Sequence, residues 1–519
     1  MEKEHAMRPV LWAVYALLTL TPLRLAAQQT PILTDTLQTR ILQPAAMQAD
    51  FRYLRRLLEE THPGLYRYTS KAAMTAKLDS IDLSLSQPLP FYTFFKTVAA
   101  LMADVRCAHT HALPHKNLRE QFNHSLKTIP FFLLPSQGRS YVLFNGTTDQ
   151  TIKPGFELVT INEQPVAAIR QQLSRYYWTD GYIESSRSAV LKGELFALFY
   201  YWFIGQPDSF KLTFRNLAGD TLRLDAPAVN WATSLNVMLK NPVNKQMVAW
   251  YYNEKKPRHP WRLAFPDTLL STACLRLDEF AHKGVHSNME AVVIFQRFMD
   301  KAMTKIQKKK IRNLIIDVRA NTGGWDSQGI ELLTYLLKAD TAVAYYARQH
   351  SVTDSSEFIR FSDLSEADRA NVKKELIPES DGTFTLKQGS DTRTPKRYTP
   401  KPNRFRGQVF ILMDGASAST ASEFLAVAHA NRVGVFVGEE SGGAYEGGNG
   451  SSFINLDLPR SGIQVSTPLV YYNNAVPELK QKGRGTMPDY DVPLTTRDIL
   501  NHTAPQFYVV KKLIEKKGE

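Results

Sequence analysis

Three stretches of this 519-residue chain carry side chains that can do chemistry. The first is Gly415-Ala416-Ser417-Ala418-Ser419-Thr420-Ala421-Ser422-Glu423, between the apolar run Val409–Met413 and a segment of helix formers. A serine at a strand-to-helix junction meets free N–H groups and the positive end of a helix dipole, both of which stabilise a developing anion. The same residue types cap helices, and Glu423 stands three positions after Thr420, where a capping box places its acid. Locally both readings stand. A Gly-x-Ser-x-Gly elbow fails by one residue, because Ser419 occupies the place of the second glycine. The second stretch is Asn321-Thr322-Gly323-Gly324, after the apolar run Leu314–Val318. Paired glycines let backbone N–H groups converge on an oxyanion, and they also make ordinary turns. The third is His109-Thr110-His111, with His115 close by. A histidine titrates near neutral pH and can serve as a general base. Three histidines also suggest metal ligands, but the helical spacing and nearby carboxylate of hydrolase zinc motifs are missing. A loop without a chemical role is the remaining reading.

The composition narrows the classes. Hydrophobic residues make up 43% and charged residues 22% of the chain, which excludes a mostly disordered or collagen-like protein. The length predicts two to four domains at roughly 100–200 residues each. The net charge of +13 is spread along the sequence, with one short run at Lys308–Lys310. No Lys/Arg stripe interleaves with aromatics, so no nucleic-acid partner is expected. The two cysteines, Cys107 and Cys274, form neither a disulfide framework nor a CxxC zinc motif. No cofactor or metal is expected.

The N-terminus has the order of a secretory signal: Lys3 and Arg8, the apolar run Pro9–Leu20, then Leu25-Ala26-Ala27-Gln28. Residues 1–27 are expected to be removed, with the mature protein exported to the periplasm or beyond. No later stretch reaches the roughly 18 apolar residues of a membrane span, so no stable membrane insertion is expected.

Four zones follow. Residues 28–125 read as helical, with Phe91, Phe94, Phe95, Val98, Leu101, Met102 and Val105 on one face, and with Phe51, Leu54, Leu57 and Leu58 ending at His62-Pro63-Gly64. Residues 126–228 read as short strands, including Ile129–Leu134 and Tyr141–Phe144, with a turn at Asn145-Gly146 and a strand after Pro154-Gly155. Residues 229–262, with Pro242, Pro257 and Pro260, read as a linker. Residues 263–505 alternate buried strands with helices, an α/β core around a covered sheet, interrupted by a polar insertion at 350–405. Residues 506–519 are a helical tail.

Taken together, these residues resemble a family. Asp317-x-Arg319-x-Asn321-x-Gly323-Gly324, the serine-rich junction, Val437-Gly438-Glu439-Glu440-Ser441-Gly442-Gly443 and Gly485-Thr486-Met487-Pro488-Asp489-Tyr490 occur in that order. The pattern is similar to the tail-specific (carboxyl-terminal processing) proteases, which share their core with tricorn protease and the interphotoreceptor retinoid-binding proteins. The resemblance implies an α/β multidomain fold: an N-terminal helical domain, a divergent PDZ-like domain and a crotonase/Clp-protease-like core. It implies a Ser419 nucleophile, because in the family a Val-Gly pair follows the serine at a steady distance, and only Ser419 suits Val437-Gly438. The oxyanion donors fall on the N–H groups of Gly323 or Gly324 and of Thr420. Members with a Ser-Lys dyad carry lysine where this chain has Gly442-Gly443-Ala444-Tyr445-Glu446. The tricorn-like branch therefore fits better, with His109 as base, Glu478 preferred over Glu440 as its carboxylate, and Thr110 in the place of a serine beside the histidine. The PDZ-like domain lacks the Gly-Leu-Gly-Phe-like run that holds a peptide carboxylate, so weak selection of C-termini is expected. The resulting expectation is an exported serine peptidase acting on polypeptides. The alternatives are a degenerate relative that binds peptides or apolar ligands without cutting, and a metal hydrolase built on His109, His111 and His115.

Overall fold

Near-continuous apolar runs at Leu314–Ile316 and Val409–Met413 have no solvent-facing side, so they must lie in a sheet covered on both faces. The computed structural model, which describes residues 40–115, 118, 125–252, 259–266, 271–389 and 394–516, has that sheet. Its strands run Trp261–Ala264, Thr272–Leu277, Asn313–Asp317, Gln408–Met413, Val435–Gly438 and Tyr490–Asp491 in spatial order. All are parallel except the first, which is antiparallel to its neighbour.

Alternate residues along each strand choose opposite layers. Leu314, Ile316, Val409, Ile411 and Met413 pack with Phe295 and Met299 of helix Asn288–Lys308, Leu332 of helix Asp326–Thr334 and Phe424 of helix Thr420–Ala430. Ile315, Phe410 and Leu412 face the other way, onto Val510 of helix Pro505–Lys516. The C-terminal segment is therefore not a tail. It is the second cover of the central sheet, and Val510 is fully buried there. The parallel register sets Asp317 beside Leu412 and Leu412 beside Val437. Three strands thus end level, and their following loops leave from one edge, the carboxyl end where open α/β sheets bind ligands.

A second sheet crosses this edge. Long strands Gly447–Asp457 and Gln464–Asn474 pair, and Tyr346–His350 joins the latter. His111–Leu113 from the N-terminal zone adds to the same strand, with His111 opposite Ser466. The histidine stretch is thereby tied to the core by a strand ladder. The expected helices are present at Pro44–Thr61 and Phe91–Asp104, with a third, Lys71–Ser84, between them.

The middle zone is an antiparallel sheet in the order Thr221–Pro227, Ser209–Arg215, Glu157–Ile161, Arg139–Asn145, Phe131–Ser136. Its first hairpin turns at Gln137-Gly138, with φ of 49° and 75°, rather than at Asn145-Gly146. Asn145 is buried instead, its amide donating to the carbonyls of Asp149 and Ile152. Residues 229–262 are not an open linker. Helices Trp231–Lys240 and Lys245–Tyr252 occupy most of the segment, and Trp231, Met238 and Met247 are buried. The insertion has its own elements, helix Glu366–Glu375 and the hairpin Leu376–Pro378 with Phe384–Leu386, and is anchored by buried Phe358 against Tyr53. Cys107 and Cys274 are both free and buried. The proposed signal segment lies outside the described residues. Among the described residues no helix is long and apolar enough to cross a membrane.

Candidate active site

Ser419 sits at the level end of strand Gln408–Met413, as the residue before helix Thr420–Ala430. Its φ of 52° and ψ of −131° are far from the usual L-residue wells, a conformation that persists only where the surroundings impose it. As N-cap it makes no side-chain capping bond, so its Oγ is uncommitted. The capping-box reading of this junction is therefore not what forms. Thr420 Oγ1 donates to Gly324 O at 2.8 Å, and Glu423 accepts from the Tyr346 hydroxyl. The neighbouring serines are structural. Ser417 is fully buried and donates to Val318 O at 2.9 Å. Ser422 donates to Ser419 O at 2.7 Å.

The glycine loop meets this turn directly. Ala418 N–H donates to Asn321 O, and Asp414 Oδ1 accepts from Ala320 N–H at 2.9 Å and Ala416 N–H at 3.0 Å, so one carboxylate holds both loops. Gly323 has φ +105°, and a Cβ there would fall 2.6 Å from Ser419 Cβ and 3.0 Å from Thr420 N. Gly324 has φ +137°, and a Cβ there would run into Phe280 O at 1.9 Å. Both positions demand glycine. The two are not equivalent as donors. Gly323 N–H already donates to Asn321 Oδ1 at 2.9 Å, whereas the N–H groups of Gly324 and Thr420 have no hydrogen-bond partner among the described residues. The N–H groups left free at this turn are thus those of Gly324 and Thr420, and Gly323 contributes space.

Beneath the loop, burial alone would raise the Asp317 carboxyl. Arg276 and Arg319 outweigh it and hold Asp317 well below the usual carboxylate range. Arg319 also reaches Gln506 at 2.9 Å, tying the loop's base to the C-terminal helix.

His109 is half-buried in the loop before strand His111–Leu113. Its ring lies 5.4 Å from that of Phe453, and its Nδ1 is buried without a hydrogen-bond partner. No hydrogen bond joins it to Ser419, but a short relay links their backbones. Asp180 Oδ1 accepts from Ala108 N–H at 2.8 Å, and its Oδ2 accepts from Ala444 N–H at 3.5 Å. A Cβ on Gly443, the residue before Ala444, would sit 2.1 Å from Ser422 Oγ, and Ser422 bonds Ser419 O. Asp180 is buried and comes from the middle zone, so three parts of the chain meet at this carboxylate.

Thr110 does not stand beside His109 as a free hydroxyl. It is fully buried and paired with His62 at 2.7 Å. Burial pushes His62 down to about 4, so it is neutral, and Gly64 N–H donates to its Nδ1. Its Nε2 therefore carries the proton and donates to Thr110 Oγ1. Neither expected carboxylate bonds His109 Nδ1. Glu440 is clamped by Arg484 at 2.8 and 2.7 Å and by Gly485 N–H at 2.8 Å, and Glu478 is exposed on the 475–483 loop. The other two histidines do not converge with His109. His111 stacks on Trp178 at 4.6 Å, and Gly462 lies beneath the His115 ring. Among the described residues no group of His, Cys, Asp or Glu is placed to hold a metal ion.

Sequence reasoning missed Asp180 and Phe453. A lone Asp in Trp178-Thr179-Asp180-Gly181, some seventy positions from the histidine, carries no local signal. Phe453 follows a bulge in an 11-residue strand and looks like any core aromatic.

Residues 271–492 match peptidase family S41. Among solved structures, mature CPAF superposes with a TM-score of 0.57 at 15% identity, over 91% of this chain and 97% of that one. Mature CPAF complexed with lactacystin gives 0.57 at 16% identity, over 91% and 98%. The photosystem II D1 C-terminal processing protease gives 0.41 at 12% identity, over 88% and 97%. No curated protein matches the chain in sequence.

Proposed function

We propose, from the match of residues 271–492 to peptidase family S41, that the protein is an exported serine peptidase with Ser419 as nucleophile and His109 as base. One observation carries this reading: an uncapped serine in a strained backbone conformation, against a glycine loop, flanked by the unpartnered N–H groups of Gly324 and Thr420.

In the proposed reaction Ser419 Oγ attacks the scissile carbonyl carbon while its proton passes to His109 Nε2. The carbonyl oxygen becomes the oxyanion, held by Gly324 N–H and Thr420 N–H at the helix N-terminus. His109 then gives the proton to the departing amine as the C–N bond breaks, leaving an ester on Ser419. Water, deprotonated by His109, cleaves that ester and returns the proton to Ser419. Glu440 is committed to Arg484 and Glu478 is exposed, so the proposal gives the supporting carboxylate role to neither. The antiparallel middle zone takes the PDZ-like position in this scheme. Its contribution is Asp180, which holds the His109 loop over the core.

The test is a serine-directed phosphonate probe on the mature protein, with the adduct mapped by mass spectrometry. Labelling at Ser419, with peptide hydrolysis lost in Ser419→Ala, is expected. Hydrolysis retained in Ser419→Ala overturns the assignment.

A further inference from the structure

One cleft beside the site has no role in the chemistry described above. It has a volume of about 70 Å3 and opens to solvent, far smaller than the roughly 300–1,000 Å3 of whole-ligand pockets and on the scale of one side chain. One wall is the insertion, through Leu364, Val372, Leu376 and Phe384. The facing wall is the second sheet, through Ser452, Leu469 and Val470. Ser451 and Ser452 both have positive φ, 54° and 52°, where the ladder slips between Gly450 and Phe453.

The cleft adjoins the proposed base. Ser452 lines it, and the next residue, Phe453, faces the His109 ring at 5.4 Å. The insertion is fastened at the same point. Asp363 N–H donates to Phe453 O at 3.0 Å, and Asp363 Oδ1 accepts from Phe453 N–H at 3.0 Å. The cleft lining and the ring against His109 are thus neighbours along one strand. The mouth carries Arg369 and Lys373 against a single carboxylate, Asp354. Arg369 is engaged with Leu364 O, whereas Lys373 is exposed and pairs with no carboxylate among the described residues.

We infer that this cleft is a substrate subsite that takes a large apolar side chain, and that Lys373 at its mouth favours an acidic side chain in the adjacent residue. The inference rests on the peptidase reading and deepens it. The apolar walls supply the preference for size, and the exposed cation supplies a weaker preference for charge.

The experiment separates binding from turnover by using full-length Ser419→Ala protein and fluorescent decapeptides that differ at one dipeptide: Leu-Glu, Leu-Gln, Leu-Lys or Ala-Glu. Leu-Glu should bind best, with Ala-Glu weaker by about tenfold, the scale of losing a large apolar side chain from a pocket. Val372→Trp fills the cleft and should weaken Leu-Glu by a similar factor. Lys373→Glu lies on an exposed helix face, so it should leave the fold unchanged and reverse the order of Leu-Glu and Leu-Lys. Equal affinity for all four peptides, no binding of any, or affinities unmoved by both variants overturns the inference. A loss of affinity on amidating the peptide C-terminus also overturns it, because the carboxylate recognised is then the chain end. Failure of the peptidase reading shows up separately, as turnover that survives Ser419→Ala.

Discussion

Gly323 and Ser419 approach so closely that a Cβ on the glycine would lie 2.6 Å from the Cβ of the serine. No side chain fits between the glycine loop and the serine turn, and the glycine's φ of +105° penalises any replacement further. Gly323→Ala should push Ser419 and the Thr420 N–H out of alignment. The expected loss in kcat is about 100-fold or more, the scale of losing an oxyanion donor. The Tm should fall by only a few degrees. A kcat within a few-fold of wild type would show that the loop does not set the serine's position.

The three serines of the junction should separate by phenotype. Ser419→Ala should abolish hydrolysis with stability unchanged, because its Oγ bonds nothing in the fold. Ser417→Ala should keep the chemistry but destabilise by about 1–3 kcal/mol, because it removes a buried hydroxyl that bonds Val318 O and Asp414 Oδ1 and accepts from Asp414 N–H. Ser422→Ala removes a hydroxyl bonded to Ser419 O and should lower kcat modestly. Urea unfolding alongside steady-state kinetics checks all three. A stable, fully active Ser419→Ala would move the nucleophile elsewhere.

What was legible in the sequence follows the range of each interaction. Apolar runs such as Leu314–Ile316 announce buried strands because burial acts on each residue separately. The resemblance sets Ser419 apart from Ser417 and Ser422 through the family's steady distance to a Val-Gly pair, a relation within one strand–helix–strand unit. The choice between Gly323 and Gly324 was hidden, since it turns on one bond from Gly323 N–H to Asn321 Oδ1. Residues 506–519 read as a tail because an amphipathic segment does not say which surface it covers. Only the sheet's second face, at Ile315 and Leu412, supplies that partner. Asp180 could not be found for the same reason: its two backbone donors, Ala108 and Ala444, lie 72 and 264 positions away.

Asp180 is a positioning residue, and its variants should show it. Asp180→Asn keeps an oxygen for the Ala108 N–H but loses the charge and turns a donor toward the Ala444 side. Asp180→Ala removes both bonds and leaves the N–H groups of Ala108 and Ala444 unsatisfied at a buried site. The expected order of kcat is wild type, then Asn, then Ala, with Ala down by about 10- to 100-fold, as for supporting residues that orient a functional side chain. KM should change little, because Asp180 touches no substrate in this scheme. Phosphonate labelling of Ser419 should slow in parallel, since it needs the same base. A variant losing stability and KM while labelling at the wild-type rate would make the role purely structural.

Glu439 gives the site's neighbourhood a pH dependence whose sign is fixed. Burial, then the nearby Asp414 and Asp491 carboxylates, lift its carboxyl from 4.5 to about 7, with Lys192 working in the opposite direction. The folded state thus holds this proton more tightly than the unfolded chain does. The stability it contributes is fully present below pH 4.5 and is lost as the pH rises through about 7. Glu439→Gln keeps the shape and cannot ionise. At pH 8 it should be more stable than wild type by about 2–3 kcal/mol, from the size of the shift. At pH 4 the two should differ little. Urea midpoints at several pH values between 4 and 8 check this, and parallel curves across that range would remove Glu439 from the account. The same titration bears on the proposed site, because Asp414 holds the Ala320 and Ala416 N–H groups of the glycine loop and the serine turn. A second negative charge beside Asp414 above pH 7 raises the energy of that clamp, so Glu439→Gln should also hold its kcat better than wild type on the alkaline side.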